Sequence, residues 1–240
     1  MSSLPTAPEW PEILLIDKPK GITSFDVIRR LRRSYSDSHE GEKAPKLGHA
    51  GTLDPLATGL MVLGCGKGTK LLTDLTKLDK EYVAEVLIGE SRATGDMEGE
   101  VLEERVVTET TEVLKERILA TLEEMIGELE LPVSAYSAIK VDGVAMYKRA
   151  RKAEKTGDIV DEVPMRVMKV YEAELQEVTA AEDRAIVTVR FSVGSGTYIR
   201  SLGVELGKRI GYPATLYNLR RTKVGDFDIK DAKQIGEVFK

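Results

Sequence analysis

Residues 48–59 read Gly48-His49-Ala50-Gly51-Thr52-Leu53-Asp54-Pro55-Leu56-Ala57-Thr58-Gly59. A proline, a histidine, a carboxylate and several glycines sit here between apolar runs. Glycine permits unusual dihedrals and lets a ligand approach the backbone closely. Pro55 restricts Asp54 to an extended conformation, which aims its carboxylate away from the chain. By itself the stretch reads first as a turn in which Asp54 hydrogen-bonds nearby amides. Leu60 to Leu63, which follows, is a buried strand candidate.

Working outward, Glu12 to Ile16 is a short apolar run stopped by the turn Asp17-Lys18-Pro19-Lys20-Gly21. Thr23 or Ser24 can then cap a helix whose Val27, Ile28 and Leu31 share one face. Ser34 to Lys46 is polar and reads as a mobile loop. Tyr82 to Ile88 alternates as a strand, and Thr108 to Met125 reads as an amphipathic helix closed by Gly127. Val163 to Val178 holds one or two strands. Ala185, Val187, Val189, Phe191 and Val193 line one side of a period-two strand. Ile199, Leu202, Leu206 and Ile210 then switch to helical spacing. The class is α+β with a mixed, largely antiparallel sheet flanked by helices.

The chain has 240 residues, 31% charged and 42% hydrophobic, the balance of an ordinary globular protein. No apolar run approaches the roughly 18 residues needed to cross a bilayer. Met1 to Pro11 has neither the basic segment nor the apolar core of a secretory signal. The single cysteine, Cys65, excludes an internal disulfide, and two histidines with it do not supply a usual zinc site. The expectation is a cytoplasmic, metal-free protein. Nothing cuts the chain in two, so residues 1–240 are expected to form one domain.

A net charge of −5 argues mildly against a nucleic-acid partner. Its distribution argues the other way. Residues 81–130 carry 15 acidic and 4 basic side chains, whereas Lys18–Arg33, Lys140–Lys155 and Lys208–Lys223 are strongly basic. Each cluster alone is an ordinary solvated face; together, beside an acidic segment, they suit one RNA-facing side.

Other glycine-rich stretches carry less chemistry. Gly64-Cys65-Gly66-Lys67-Gly68-Thr69-Lys70 lacks the Ser or Thr that a phosphate loop needs after Gly-Lys, and reads as a flexible strand-to-helix turn near the RNA backbone. Gly196-Thr197-Tyr198-Ile199-Arg200-Ser201-Leu202 lies where a strand gives way to a helix. Its amides favour anions, Arg200 can pair with a carboxylate, and Tyr198 can stack on a base. Read alone, they are first a core aromatic and a surface arginine. His39 and His49 have no sequence partners suggesting a hydrolytic triad.

Taken together, these segments resemble the bacterial branch of the tRNA pseudouridine-55 synthase family. The resemblance runs from about Ile13 to Thr222. It is carried by residues 15–24 (Leu15 to Ser24), 48–59 and 80–82 (Lys80-Glu81-Tyr82). Tyr136-Ser137-Ala138-Ile139-Lys140, residues 196–202 and Leu219-Arg220-Arg221-Thr222 continue it in the family's order. It implies a pseudouridine synthase fold with a central cleft and no cofactor. The implied activity converts a uridine in the TΨC loop of tRNA, position 55, to pseudouridine. The implied partner is the TΨC stem-loop, without a membrane or an obligatory protein partner.

The resemblance also implies roles residue by residue. Asp54 is the essential carboxylate, Tyr82 packs on the base as a candidate proton acceptor, and Arg200 pairs with the carboxylate. Tyr198 and Leu219 line the uracil pocket. His49 fills the space left when the nucleotide flips out, and Lys18 and Lys20 meet phosphates. An RNA-clamping insertion is expected near 130–160. The chain departs from the family in a longer Ser34–Lys46 stretch, in Ser192-Val193-Gly194-Ser195, and in ending where relatives continue into an accessory RNA-binding domain, which is expected to be absent.

Overall fold

The computed structural model describes residues 10–134, 139–141, 143–146, 149–150, 156 and 163–238. Along the chain, strand β1 (Ile13–Lys18) leads into helix α1 (Ser24–Ser38), then β2 (Leu47–His49) and β3 (Thr58–Cys65). A short helix α2 (Leu72–Leu75) precedes β4 (Lys80–Ile88), β5 (Glu90–Arg92) and β6 (Val101–Glu104). Helix α3 (Thr111–Glu124) is followed by β7 (Gly127–Pro132), β8 (Lys140–Val141) and β9 (Val144–Ala145). The long strands β10 (Met165–Ala181) and β11 (Arg184–Val193) come before helix α4 (Ile199–Arg209). Strands β12 (Ala214–Val224) and β13 (Phe227–Asp228) complete the set. Most pairings are antiparallel; β3 and β12 run parallel. This is the expected α+β class.

Two compact units emerge: Met1–Tyr82 with Leu219–Lys240, and Val83–Asn218. In the first, β1 pairs with β3 from Ile13↔Gly64 to Lys18↔Gly59, and β2 lies along the far end of β3 from Leu47↔Cys65 to His49↔Leu63. Arg220↔Thr58 and Arg221↔Gly59 join β12 to the start of β3. Ala50, Leu60, Val62 and Val224 form a core covered by Ile13, Leu15, Leu72, Leu75, Leu78 and Phe227.

Helix α1 starts at a full capping box. The Thr23 side chain accepts from the Asp26 amide at 3.0 Å, and Asp26 accepts from the Thr23 amide at 3.0 Å. These bonds satisfy amides that a helix start leaves open. The Thr23 hydroxyl, which donates to Asp26 Oδ2 at 2.7 Å, and after it the Thr23 amide hold the Asp26 carboxyl below its ordinary pKa. The helix runs to Ser38, beyond the expected start of a loop at Ser34. Tyr35 stacks between Trp10 and His39, and the Ser38 hydroxyl donates to Ser34 O at 2.9 Å. Those contacts, not apolar spacing, carry the last turn.

Residues 64–70 are not a loose turn. The strand passes into a 3-10 helix, Gly66–Lys70, and a Cβ at Gly68 would lie 1.9 Å from Glu12 O. The glycine is there so that two backbones can touch. Cys65 is buried beside it, which pushes its thiol up to about 11.

In the second unit β10 pairs with β11 on one side and β7 on the other, with irregular register near Val170 and Leu175. The alternation expected in β11 is complete: Ala185, Val187, Val189, Phe191 and Val193 are all buried. Helix α3 buries Leu114, Ile118 and Leu122, and Thr110 caps it. Gly127, at φ +114, opens β7 rather than merely closing the helix. Helix α4 buries Ile199, Leu202 and Leu206 as the spacing required. Most of the expected insertion at 130–160, including Tyr136 to Ala138, lies outside the described residues. Among the described residues no helix is long and apolar enough to cross a membrane.

Candidate active site

The expected site residues divide between the two units. Asp54, Tyr82, His49, Leu219, Lys18 and Lys20 belong to the first; Arg200 and Tyr198 belong to the second.

Asp54 lies on the connection between β2 and β3 and is partly exposed. The backbone on both sides of it is fixed by groups from other elements. The buried Ser24 hydroxyl accepts from the Leu53 amide at 2.9 Å and donates to Leu53 O at 3.0 Å. The Gly21 amide donates to Pro55 O at 2.8 Å, and the Ala57 amide turns back to Asp54 O at 3.1 Å. Ser24 was read as a possible helix cap. Thr23 takes that role, which leaves Ser24 for the turn.

Lys18 does not fit its reading as a phosphate contact. It is fully buried at the end of β1, and its ammonium donates to Ile22 O at 2.7 Å, Pro19 O at 3.0 Å and Pro55 O at 3.4 Å. A lysine in a Lys-Pro turn looks solvated in sequence; here three carbonyls replace the water a buried ammonium would otherwise lose. Lys20, two residues on, is exposed.

His49 ends β2, partly buried. Burial and the neighbouring Arg221 guanidinium hold its pKa below the usual value, so the ring is neutral at neutral pH. Tyr82 and Leu219 are buried on β4 and β12. Lys80, two residues before Tyr82, is buried too, and its ammonium donates to Thr76 O at 2.6 Å and to Leu78 O. Desolvation first, and Arg221 second, bring its pKa down to about 8.

In the second unit Arg200 sits in the first turn of α4, buried. Its Nη1 lies 3.3 Å from Asp96 Oδ2 and donates to Ser134 Oγ at 2.8 Å and Thr94 O at 3.2 Å. Asp96 is buried as well, and its Oδ1 accepts from the Thr94 hydroxyl at 2.5 Å and the Glu98 amide at 3.1 Å. Tyr198, partly buried, precedes the helix as its cap residue. Sequence reasoning missed Asp96. The only signal was an acidic residue after Thr94-Gly95, a pattern indistinguishable from an ordinary turn.

Comparisons with known proteins identify the family. Residues 39–199 match the model described as TruB family pseudouridylate synthase (N terminal domain). The chain is 41% identical over 223 residues to tRNA pseudouridine synthase B of Leifsonia xyli, covering 93% of this chain and 70% of that protein. It is 38% identical over 227 residues to the protein of that name from Chloroherpeton thalassium, covering 95% and 88%. Among solved structures, an archaeal box H/ACA sRNP Nop10–Cbf5 complex matches with a TM-score of 0.62 and 25% identity. That match covers 95% of this chain, which spans about half (52%) of the solved chain. The chain belongs to the TruB family of pseudouridylate synthases.

Proposed function

We propose that the protein converts a uridine in the TΨC loop of tRNA, at position 55, to pseudouridine, with Asp54 as the essential carboxylate. The carrying observation is the Asp54-Pro55 turn, whose main chain is fixed on both sides by Ser24, Gly21 and Lys18 while the aspartate remains partly exposed. Catalytic groups need placement within a fraction of an ångström, and a turn anchored from other elements supplies it.

The reaction breaks the glycosidic C–N bond, rotates the uracil and rejoins it through carbon. The carbon gives up a proton and the freed ring nitrogen takes one up, so the product is an isomer of the substrate; Tyr82 is our candidate for accepting the proton from carbon. Extruding the nucleotide costs a few kcal/mol. His49, neutral and partly buried, suits the space the base vacates; Tyr198 and Leu219 suit walls for the extruded uracil. Arg200 supplies a fixed positive charge, oriented by Asp96, and Lys20 is free of burial to meet a phosphate. Binding rests on RNA alone without an obligatory protein partner, and the setting is the cytoplasm.

The test is pseudouridine mapping at nucleotide resolution on unmodified tRNA treated with the pure protein. Modification confined to position 55 is expected. Modification elsewhere, or none, would overturn the proposed substrate.

A further inference from the structure

One buried residue of the first unit is unexplained by packing. Arg221, on β12, is only 1% exposed. Among the described residues no carboxylate forms an ion pair with it. Its guanidinium instead addresses two backbone carbonyls: Nε donates to Leu60 O at 2.7 Å, and Nη2 donates to Gly51 O at 3.2 Å. Those carbonyls stand on either side of Asp54, one near each end of its loop.

The backbone of Arg221 grips the same loop. It pairs with Gly59, whose φ is +105, and a Cβ at Gly59 would lie 2.3 Å from Arg221 O. Gly51, at φ +102, likewise has a backbone that favours glycine. A single residue thus touches the loop at Gly51, Gly59 and Leu60.

The electrostatics make this arrangement costly. Arg221 lowers the pKa of both His49 and Lys80, so a second buried cation and an imidazole lie within its field. A buried charge without a counter-charge destabilises a fold, and an apolar side chain of similar volume would avoid that cost. A guanidinium offers what an apolar chain does not: a rigid fork of donors in fixed directions.

We propose that Arg221 is a positioning residue for the isomerisation: it sets the span between Gly51 and Leu60, and so the point from which the Asp54 carboxylate reaches the target nucleotide. This rests on the reading of Asp54 given above.

The test compares wild type, Arg221→Lys, Arg221→Gln and Asp54→Asn on unmodified tRNA. Tight binding is measured separately from the single-turnover rate at saturating tRNA, and thermal unfolding of each variant is recorded. Lysine keeps the charge but not the fork; glutamine keeps one donor and loses the charge. The expected result for Arg221→Lys is a rate about 10- to 100-fold lower, the effect of a sub-ångström to 1 Å misplacement, with affinity and unfolding midpoint near those of wild type. A wild-type rate in Arg221→Lys would overturn the proposal. So would a loss that resides in affinity, or one that tracks the folded fraction. If neither Arg221 variant folds, the residue is structural and the proposal fails. Turnover by Asp54→Asn would instead sink the reading of Asp54, whatever Arg221 does.

Discussion

Asp54 and Asp96 are held in opposite ways. Around Asp54 the protein fixes the main chain: Ser24 grips Leu53, Gly21 and Lys18 grip Pro55, and Arg221 grips Gly51 and Leu60. At Asp96 it fixes the carboxylate itself, with Arg200 on one oxygen and the Thr94 hydroxyl and Glu98 amide on the other. Asp96 is buried, whereas Asp54 is partly exposed. A carboxylate gripped on both oxygens orients its neighbours; one carried on an anchored backbone is placed by its main chain. The two should therefore respond differently to mutation, one mainly through stability and the other mainly through rate.

The largest stability effect is expected at Asp96. Asp96→Ala removes a counter-charge from buried Arg200 and the acceptor from two donors, and breaking a buried pair from one side costs about 3 kcal/mol or more. Urea denaturation measures it. A loss well below 1 kcal/mol would show that this pair behaves like a surface one, and the contrast with Asp54 would weaken.

A somewhat smaller effect belongs to Lys80, which is buried near the end of β12 that carries Arg221. Its pKa in the folded protein, about 8, lies below the ordinary value of 10.5, so folding releases a proton between those limits. Above pH 10.5 the lysine is neutral in both states. Below pH 8 it is charged in both, and the full cost of burying the charge is present. Wild type should accordingly gain stability relative to Lys80→Met as pH rises from 8 to 10.5, by about 2–3 kcal/mol. A difference that stays flat across that window would mean the ammonium is solvated.

The smallest stability effect is expected at Ser24. Ser24→Ala leaves the Leu53 amide and carbonyl without their partner, at a cost of about 1–2 kcal/mol by denaturation. The comparison predicts that its single-turnover rate falls further than this loss of stability requires. A rate equal to that of wild type would show that the other anchors hold the turn without Ser24.

Much of this was legible because it obeys simple periods. Strands β4 and β11 and helix α4 follow from apolar residues repeating at two or at three to four positions, and β3 from an unbroken apolar run. Strand β12 did not, because Arg221 occupies an inward position between buried Leu219 and Val224. Charge masks alternation when it is buried against carbonyls. The same physics misled the reading of Lys18, whose burial no local pattern announces. Helix α1 outran its apolar stripe because stacking of Tyr35, a tertiary contact, carries its end. The Gly-rich stretch around Asp54 stood out in sequence, yet its anchors come from residues 18–24 and 221, far apart in the chain. Asp96 was silent for the same reason: its meaning lies in Arg200, a hundred residues away.

The most direct test of the central claim is the single-turnover rate of Asp54→Asn on unmodified tRNA at saturating protein, with position 55 read at nucleotide resolution. Asparagine keeps the shape and the anchored backbone but removes the charge. The account predicts tRNA binding close to wild type and no pseudouridine above background. Substantial turnover by a variant verified free of deamidation and of wild-type carry-over would contradict it.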